Sequence, residues 1–297
     1  MTHRVDEKWA GSAALLLAAV IWGFGYIVIA DSLDTIHVSY LMSYRYILAA
    51  AGMLLAVGRQ MRRSLGVRPL WEGAVLGLLL YLSQLVQTMA CGMTSPGNVS
   101  FITALYVVLV PIFAAAVFRE RAGKATWGAV CLALPGLFLL TRAEYGINGG
   151  DLLALAGSMG FAVHMLCSDR YARRDSVVLL AALQFFWAAV FSTAALVLSG
   201  RPLLLRGLDA GSAARLLFMG LISTLLGFFL QIWGQKRVPA ALTAVLLSTE
   251  ALFGMLFSIL FAQEVLTART GAGCVLLLAA ILLAECGQAF GKTHARS

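Results

Sequence analysis

Ten apolar runs, each close to twenty residues, follow one another through this chain with little between them. They lie at 9–30, 37–57, 70–92, 97–118, 126–141, 151–168, 177–198, 213–234, 239–262 and 270–288. A run of that length matches the hydrocarbon thickness of a bilayer, where only a helix or a closed barrel satisfies the backbone. Continuous apolarity, with no period-two alternation, points to helices. The fold class expected is an all-α polytopic membrane protein. Composition agrees, with 61% of the 297 residues hydrophobic, 12% charged and a mean hydropathy of +0.88. The first run follows Arg4 and Lys8 and has the look of a signal peptide, but its long apolar core and the lack of a clean small-x-small site favour a span.

A formal charge of +8 would suggest nucleic acid if it were gathered on one face. It alternates between loops instead. About sixteen Lys and Arg fall on one side, in clusters such as Arg59, Arg62, Arg63 and Arg68, or Arg170, Arg173 and Arg174. Only Arg142, Arg201, Arg206, Arg215 and Arg269 fall on the other. The positive-inside rule then sets both termini in the cytoplasm and makes the number of spans even. The basic charge reads as topology, and no nucleic-acid partner is expected. Cys91, Cys131, Cys167, Cys274 and Cys286 lack C-x-x-C spacing, and His3, His37, His164 and His294 form no H-E-x-x-H. No metal, cofactor, phosphate loop or catalytic set is expected from them.

Ten spans invite a test for duplication. An offset of 139 sets Trp22 against Phe161 and Arg45 against Gln184, an offset of 143 sets Pro96 against Pro239, and one of 144 sets Glu120 against Glu264. The expected organisation is two five-helix repeats, 9–142 and 149–290. Five is odd, so the second repeat is inverted relative to the first. Pro96 and Gly97 part the third and fourth spans with almost no loop, as Val238 and Pro239 part the eighth and ninth. Pro111 removes a backbone hydrogen bond within the fourth span and is expected to bend it.

The segments WGFGYIV (22–28), SYRYILAA (43–50), TSPGNVSFITALYVVLVP (94–111), FRER (118–121), GGDLLAL (149–155) and STEALFGMLFSILFAQE (248–264) together resemble the EamA-like branch of the drug/metabolite transporter superfamily. The resemblance covers nearly the whole chain. It implies a ten-helix secondary transporter of small organic metabolites, often amino acids and often moved outward. It also implies a central cavity, to which Trp22, Arg45, Tyr106 and Glu250 are carried over by motif. Members commonly have proline after that glutamate. Here Ala251 follows Glu250, which implies a straighter ninth helix.

Polar residues inside the spans are the candidate substrate-binding set. Tyr81, Gln84 and Thr88 recur at helical spacing on the third span with Gln87 at the edge of that face. Asn98 and Tyr106 lie on the fourth, Gln231 shares a stripe with Thr224 and Gly227 on the eighth, and His164 lies on the sixth. Each has a plain alternative as glue between helices. Arg45 and Glu250 stand apart, because a charge at mid-membrane costs about 2.5–3.5 kcal/mol. They pair with each other, or they meet a substrate carboxylate and a substrate amine or proton, or they are structural. At an offset of 143, Val107 stands opposite Glu250. The function expected is alternating-access transport of a small-molecule substrate across the inner membrane by a chain embedded in lipid, with proton coupling and a homodimer, through a small-residue patch at Gly271 and Gly273, left open. The alternatives are an intramembrane enzyme, for which no catalytic set is seen, and a structural or signalling membrane protein.

Overall fold

The computed structural model describes residues 2–62, 66–94, 96–119, 123–140 and 148–261, with the short stretches 267–269, 271–273, 275–280 and 282–283. Among these there are helices and connecting turns and no strand. In chain order the helices are α1 (Thr2–Leu33), α2 (Val38–Arg62), α3 (Val67–Cys91), α4 (Pro96–Ala104), α5 (Tyr106–Phe118), α6 (Lys124–Leu140), α7 (Gly149–Ala172) and α8 (Val177–Leu198). The remainder are α9 (Ala210–Leu217), a π-helical segment (Phe218–Leu226), α10 (Gly227–Gln235), α11 (Ala240–Leu247) and α12 (Glu250–Phe261). A further apolar helix, Gly271–Ala280, follows.

Among the described residues, eight paths are long and apolar enough to cross a bilayer. They are Glu7–Leu33, Val38–Arg59, Val67–Cys91, Val99–Val117, Gly149–Ala172, Val177–Leu198, Ala210–Gln235 and Ala240–Phe261. The fifth expected span corresponds to α6, with 17 residues. Much of the tenth lies outside the described residues. The protein is therefore an all-helical, multi-pass membrane protein.

Local chemistry sets the helix ends. Asn148 and Asp151 open α7 with a reciprocal capping box, each accepting the other's backbone N–H at 3.0–3.1 Å. Asp209 caps α9 by accepting Ser212 N–H at 3.0 Å. Two interruptions inside spans matter more. The fourth path breaks at Leu105, six residues ahead of Pro111, while the helix runs on through the proline itself. The path Ala240–Phe261, the ninth span expected from the sequence, breaks at Ser248 and Thr249, immediately before Glu250. The straighter ninth helix expected from Ala251 is thus overturned, and no proline is needed. Ser248 and Thr249 turn their hydroxyls onto Val245 O at 2.8 Å and Leu246 O at 2.6 Å, which draws carbonyls away from the helical ladder.

Helices of the first half pack chiefly against helices of the second. Thus α3 lies against α7 and α8, α2 against α8 and the π segment, and α1 against α10 and α12. The core is the seam between halves. Gly23 shows how tight it is, since a Cβ there would lie 2.7 Å from Phe253 Cβ and 2.9 Å from Glu250 O. Trp22 and Phe161, matched at the offset of 139, both pack against each of the two apolar cores. At the other end of the fold, α6 meets the last apolar helix where Gly136 approaches Gly273 O.

Candidate functional site

Where these seams meet they line a cavity. The empty space among its lining atoms, part of it open to solvent, is ≈ 510 Å³. That is room for a few waters or one small solute. Helix α1 contributes Trp22, Gly25, Tyr26 and Ile29, α2 Arg45, α3 Gln84 and Gln87, α4 Thr103, and α5 Tyr106. From the second half come Phe161 and Met165 of α7, Ser223 of the π segment, Phe228 and Gln231 of α10, Leu247 of α11 and Glu250 of α12. The walls are aromatic and aliphatic, with polar groups at a few fixed points.

Glu250 is 3% exposed and begins α12 right after the Ser248–Thr249 break. Tyr106, which begins α5 right after the break at Leu105, donates its hydroxyl to Glu250 Oε1 at 3.1 Å. Tyr26 lines the same cavity. Gln87 Nε2 donates to Tyr26 Oη at 3.1 Å and to Thr103 Oγ1 at 3.3 Å.

Arg45 is 1% exposed. Its Nε donates to Thr224 Oγ1 at 2.9 Å, and Thr224 passes its own proton to Met219 O at 2.7 Å. Arg45 Nη1 has no hydrogen-bond partner. Among the described residues no carboxylate pairs with Arg45, so the Arg45–Glu250 ion pair considered from the sequence is absent from this conformation. Next to Thr224, Ser223 O accepts Trp22 Nε1 at 2.9 Å, and Gly227 leaves the space that the Trp22 ring fills. Trp22 also lies 4.7 Å from the Phe228 ring. Consecutive residues of the π segment therefore mount two cavity side chains; such segments often sit at functional places in helices.

Of the expected set, the structure brings Trp22, Arg45, Gln84, Gln87, Tyr106, Gln231 and Glu250 to the cavity. Tyr81 and His164 are not among its lining residues. Tyr81 stands edge-on to Tyr46, whose hydroxyl donates to Gln84 Oε1 at 2.8 Å, so Tyr81 sits one layer back. At 100° per residue it is rotated by about 120° from Gln87, and the two cannot share a wall. His164 bonds Gln184 Oε1 at 3.1 Å and meets the edge of Phe228 from behind. Asn98 is on α4, but its side chain lies outside the described residues. Tyr26 was not foreseen, although it follows Trp22 by one helical turn. Thr103 and Ser223 carried no signal, since single hydroxyls in spans are common.

Helices long enough to span a bilayer, packed around a central cavity that holds two buried ionisable side chains, define a multi-pass membrane protein. The chain belongs to the EamA-like transporter family, whose profile matches residues 9–142 and 148–285. It is thereby a transporter and not an enzyme. An uncharacterized transporter of Archaeoglobus fulgidus is 28% identical over 91% of this chain and 83% of its own length. The uncharacterized transporter YwfM of Bacillus subtilis is 25% identical over 95% of this chain and 96% of its own. The uncharacterized inner membrane transporter YedA of Escherichia coli is 26% identical over about half of each chain, 53% and 52%. A solved crystal structure matches with a TM-score of 0.73 over 92% of this chain and 96% of that one, at 18% identity, a likeness of fold.

Proposed function

We propose that this protein is a secondary transporter that carries small organic metabolites, amino-acid-like solutes foremost, outward across the inner membrane by alternating access with proton coupling at Glu250. The observation that carries the proposal is the central cavity built by both halves around Arg45 and Glu250. A solute held there reaches both sides if the seams open in turn, which is what alternating access requires. Glu250 accepts from the Tyr106 hydroxyl, an arrangement that suits a site for a proton or an amine.

The architecture behind this reading is ten helices in two inverted repeats, about 9–142 and 149–290. In support, the family profile matches two successive stretches, and α4 and α11 begin at Pro96 and Ala240 while α5 and α12 begin at Tyr106 and Glu250, a separation of 144 in both cases. That register puts Tyr106 opposite Glu250, where the offset of 143 had put Val107. The loop charges place both termini in the cytoplasm. For a homodimer, Gly273 is already turned to Gly136 within the chain, which leaves Gly271, with nothing near it, as the small-residue approach. The test is counterflow of labelled amino acids and related metabolites in proteoliposomes at two pH values. Exchange that depends on the protein and changes with pH supports the proposal; exchange equal to empty liposomes for every solute refutes it.

A further inference from the structure

We infer that Arg45 recognises the transported solute through a carboxylate, and that Glu250 is not its counter-charge. The inference rests on the transporter reading for the solute being carried, though not for its being bound. A guanidinium has five N–H donors and keeps its charge in any protein environment. Buried without compensation at mid-membrane, it is costly to keep. A structural arginine at such a depth would spend its donors on carbonyls or a carboxylate.

Arg45 does neither. Only Nε is anchored, on Thr224, and Nη1 has no partner while the residue lines the cavity. Nor does it snorkel, being 1% exposed and tied to a residue in the middle of the π segment. The anchor is itself fixed in direction: the Thr224 proton goes to Met219 O, so a lone pair faces Arg45. Glu250 accepts from the Tyr106 hydroxyl and not from Arg45. What the cavity holds, then, is a fixed cationic donor with its end open.

The complement of that end is an anionic acceptor. Charge-assisted hydrogen bonds from guanidinium to carboxylate are among the stronger ones available, more so in a buried site. Gln231, which also lines the cavity, carries a second unpartnered polar atom, its buried Oε1, an acceptor that calls for an N–H or O–H donor. A solute with a carboxylate for Arg45 and an amino or hydroxyl donor for Gln231 satisfies both at once, and the Trp22 and Phe228 rings of the lining offer an apolar wall for the rest of it. A neutral or purely cationic solute leaves Arg45 bare.

The experiment is binding to the purified full chain in detergent, by calorimetry and thermal shift, using L-alanine, L-leucine and L-phenylalanine with their amides, their decarboxylated amines and their deaminated acids. For the amino acids that bind, the amide and the amine should bind about ten- to a hundredfold more weakly, the worth of one charged hydrogen bond. The deaminated acid should retain part of the affinity. Arg45→Gln should close the gap between acid and amide, and Thr224→Val should narrow it. Amides or amines that bind as well as the amino acids overturn the inference, as does a gap that survives in Arg45→Gln, or binding of inorganic phosphate with none of the carboxylates. Failure of every carboxylate to bind overturns it too. Should Arg45→Gln fail to fold, the ligand series on the wild type and on Thr224→Val still decides. A protein that binds carboxylates without counterflow loses the transport reading and keeps this one; equal exchange of amines and amino acids does the reverse.

Discussion

The two charged corners of the cavity are built differently. At Glu250, the Tyr106 hydroxyl donates to the carboxylate, and beside it in the cavity Gln87 donates to both Tyr26 and Thr103. At Arg45, which lines the same cavity, one nitrogen is tied to Thr224 and Nη1 is buried without a hydrogen-bond partner. Both residues are almost wholly buried, so the difference does not come from solvent. One corner is complete in the protein as it stands. The other is completed by what enters, and so selectivity is expected at Arg45 and a switch between charge states at Glu250.

The comparison breaks first at Glu250. Glu250→Gln keeps the shape and two polar atoms while removing the charge, and counterflow should fall by about ten- to a hundredfold and lose its pH dependence. Wild-type rates at both pH values would end the charge role. Next, Arg45→Met should stabilise the ligand-free protein by about 1–3 kcal/mol, because it removes a buried charge that has only Thr224 and the face of Tyr46 for partners, and thermal unfolding in detergent would show it. A lower Tm would make Arg45 a structural strut. On the other side of the cavity, Gly23→Val should destabilise by about 1–3 kcal/mol, since α1 cannot back away from the Glu250 and Gly254 backbone. Tyr106→Phe sharpens the contrast more gently. It removes the hydroxyl donor to Glu250 and should cost about 1 kcal/mol, read as a several-fold loss in counterflow with amine-bearing solutes.

The smallest effect belongs to a carboxylate outside the membrane. The Ser212 hydroxyl and backbone N–H hold the Asp209 carboxyl below the usual carboxylate range. A depressed folded value means that its stabilising effect is present above the unfolded value of about 3.9 and is lost as pH falls through the lower, folded one. Asp209→Ala should therefore lower the Tm slightly and by the same amount at pH 7 and pH 5. A difference between those pH values would mean that Asp209 titrates higher than its cap allows.

Much of the site was legible because charge and amide groups stand out in apolar runs. Arg45, Glu250, Gln84, Gln87 and Gln231 needed little more than hydropathy and a helical wheel. Tyr81 misled because three residues on a stripe were read as one wall, whereas the wall is only as wide as the neighbouring helices leave it. His164 misled because a histidine in a span looks functional, and Gln184 on the next helix supplied it with a partner. The break before Glu250 was missed for want of a proline, although Ser248 and Thr249 carry hydroxyls that perform it.

By itself the sequence determined that the chain is helical and lies in a membrane, because about twenty apolar residues have no other way to satisfy a backbone in hydrocarbon. It also determined which few residues are too costly to be there without a reason. Only the tertiary structure decided which of them meet. Tyr106 and Glu250 are bonded across 144 residues, and Arg45 and Glu250 are not. Periodicity fixes where side chains lie relative to one another on a helix, but the rotation of each helix about its own axis is set by packing against its neighbours, here at glycines such as Gly23 and Gly227.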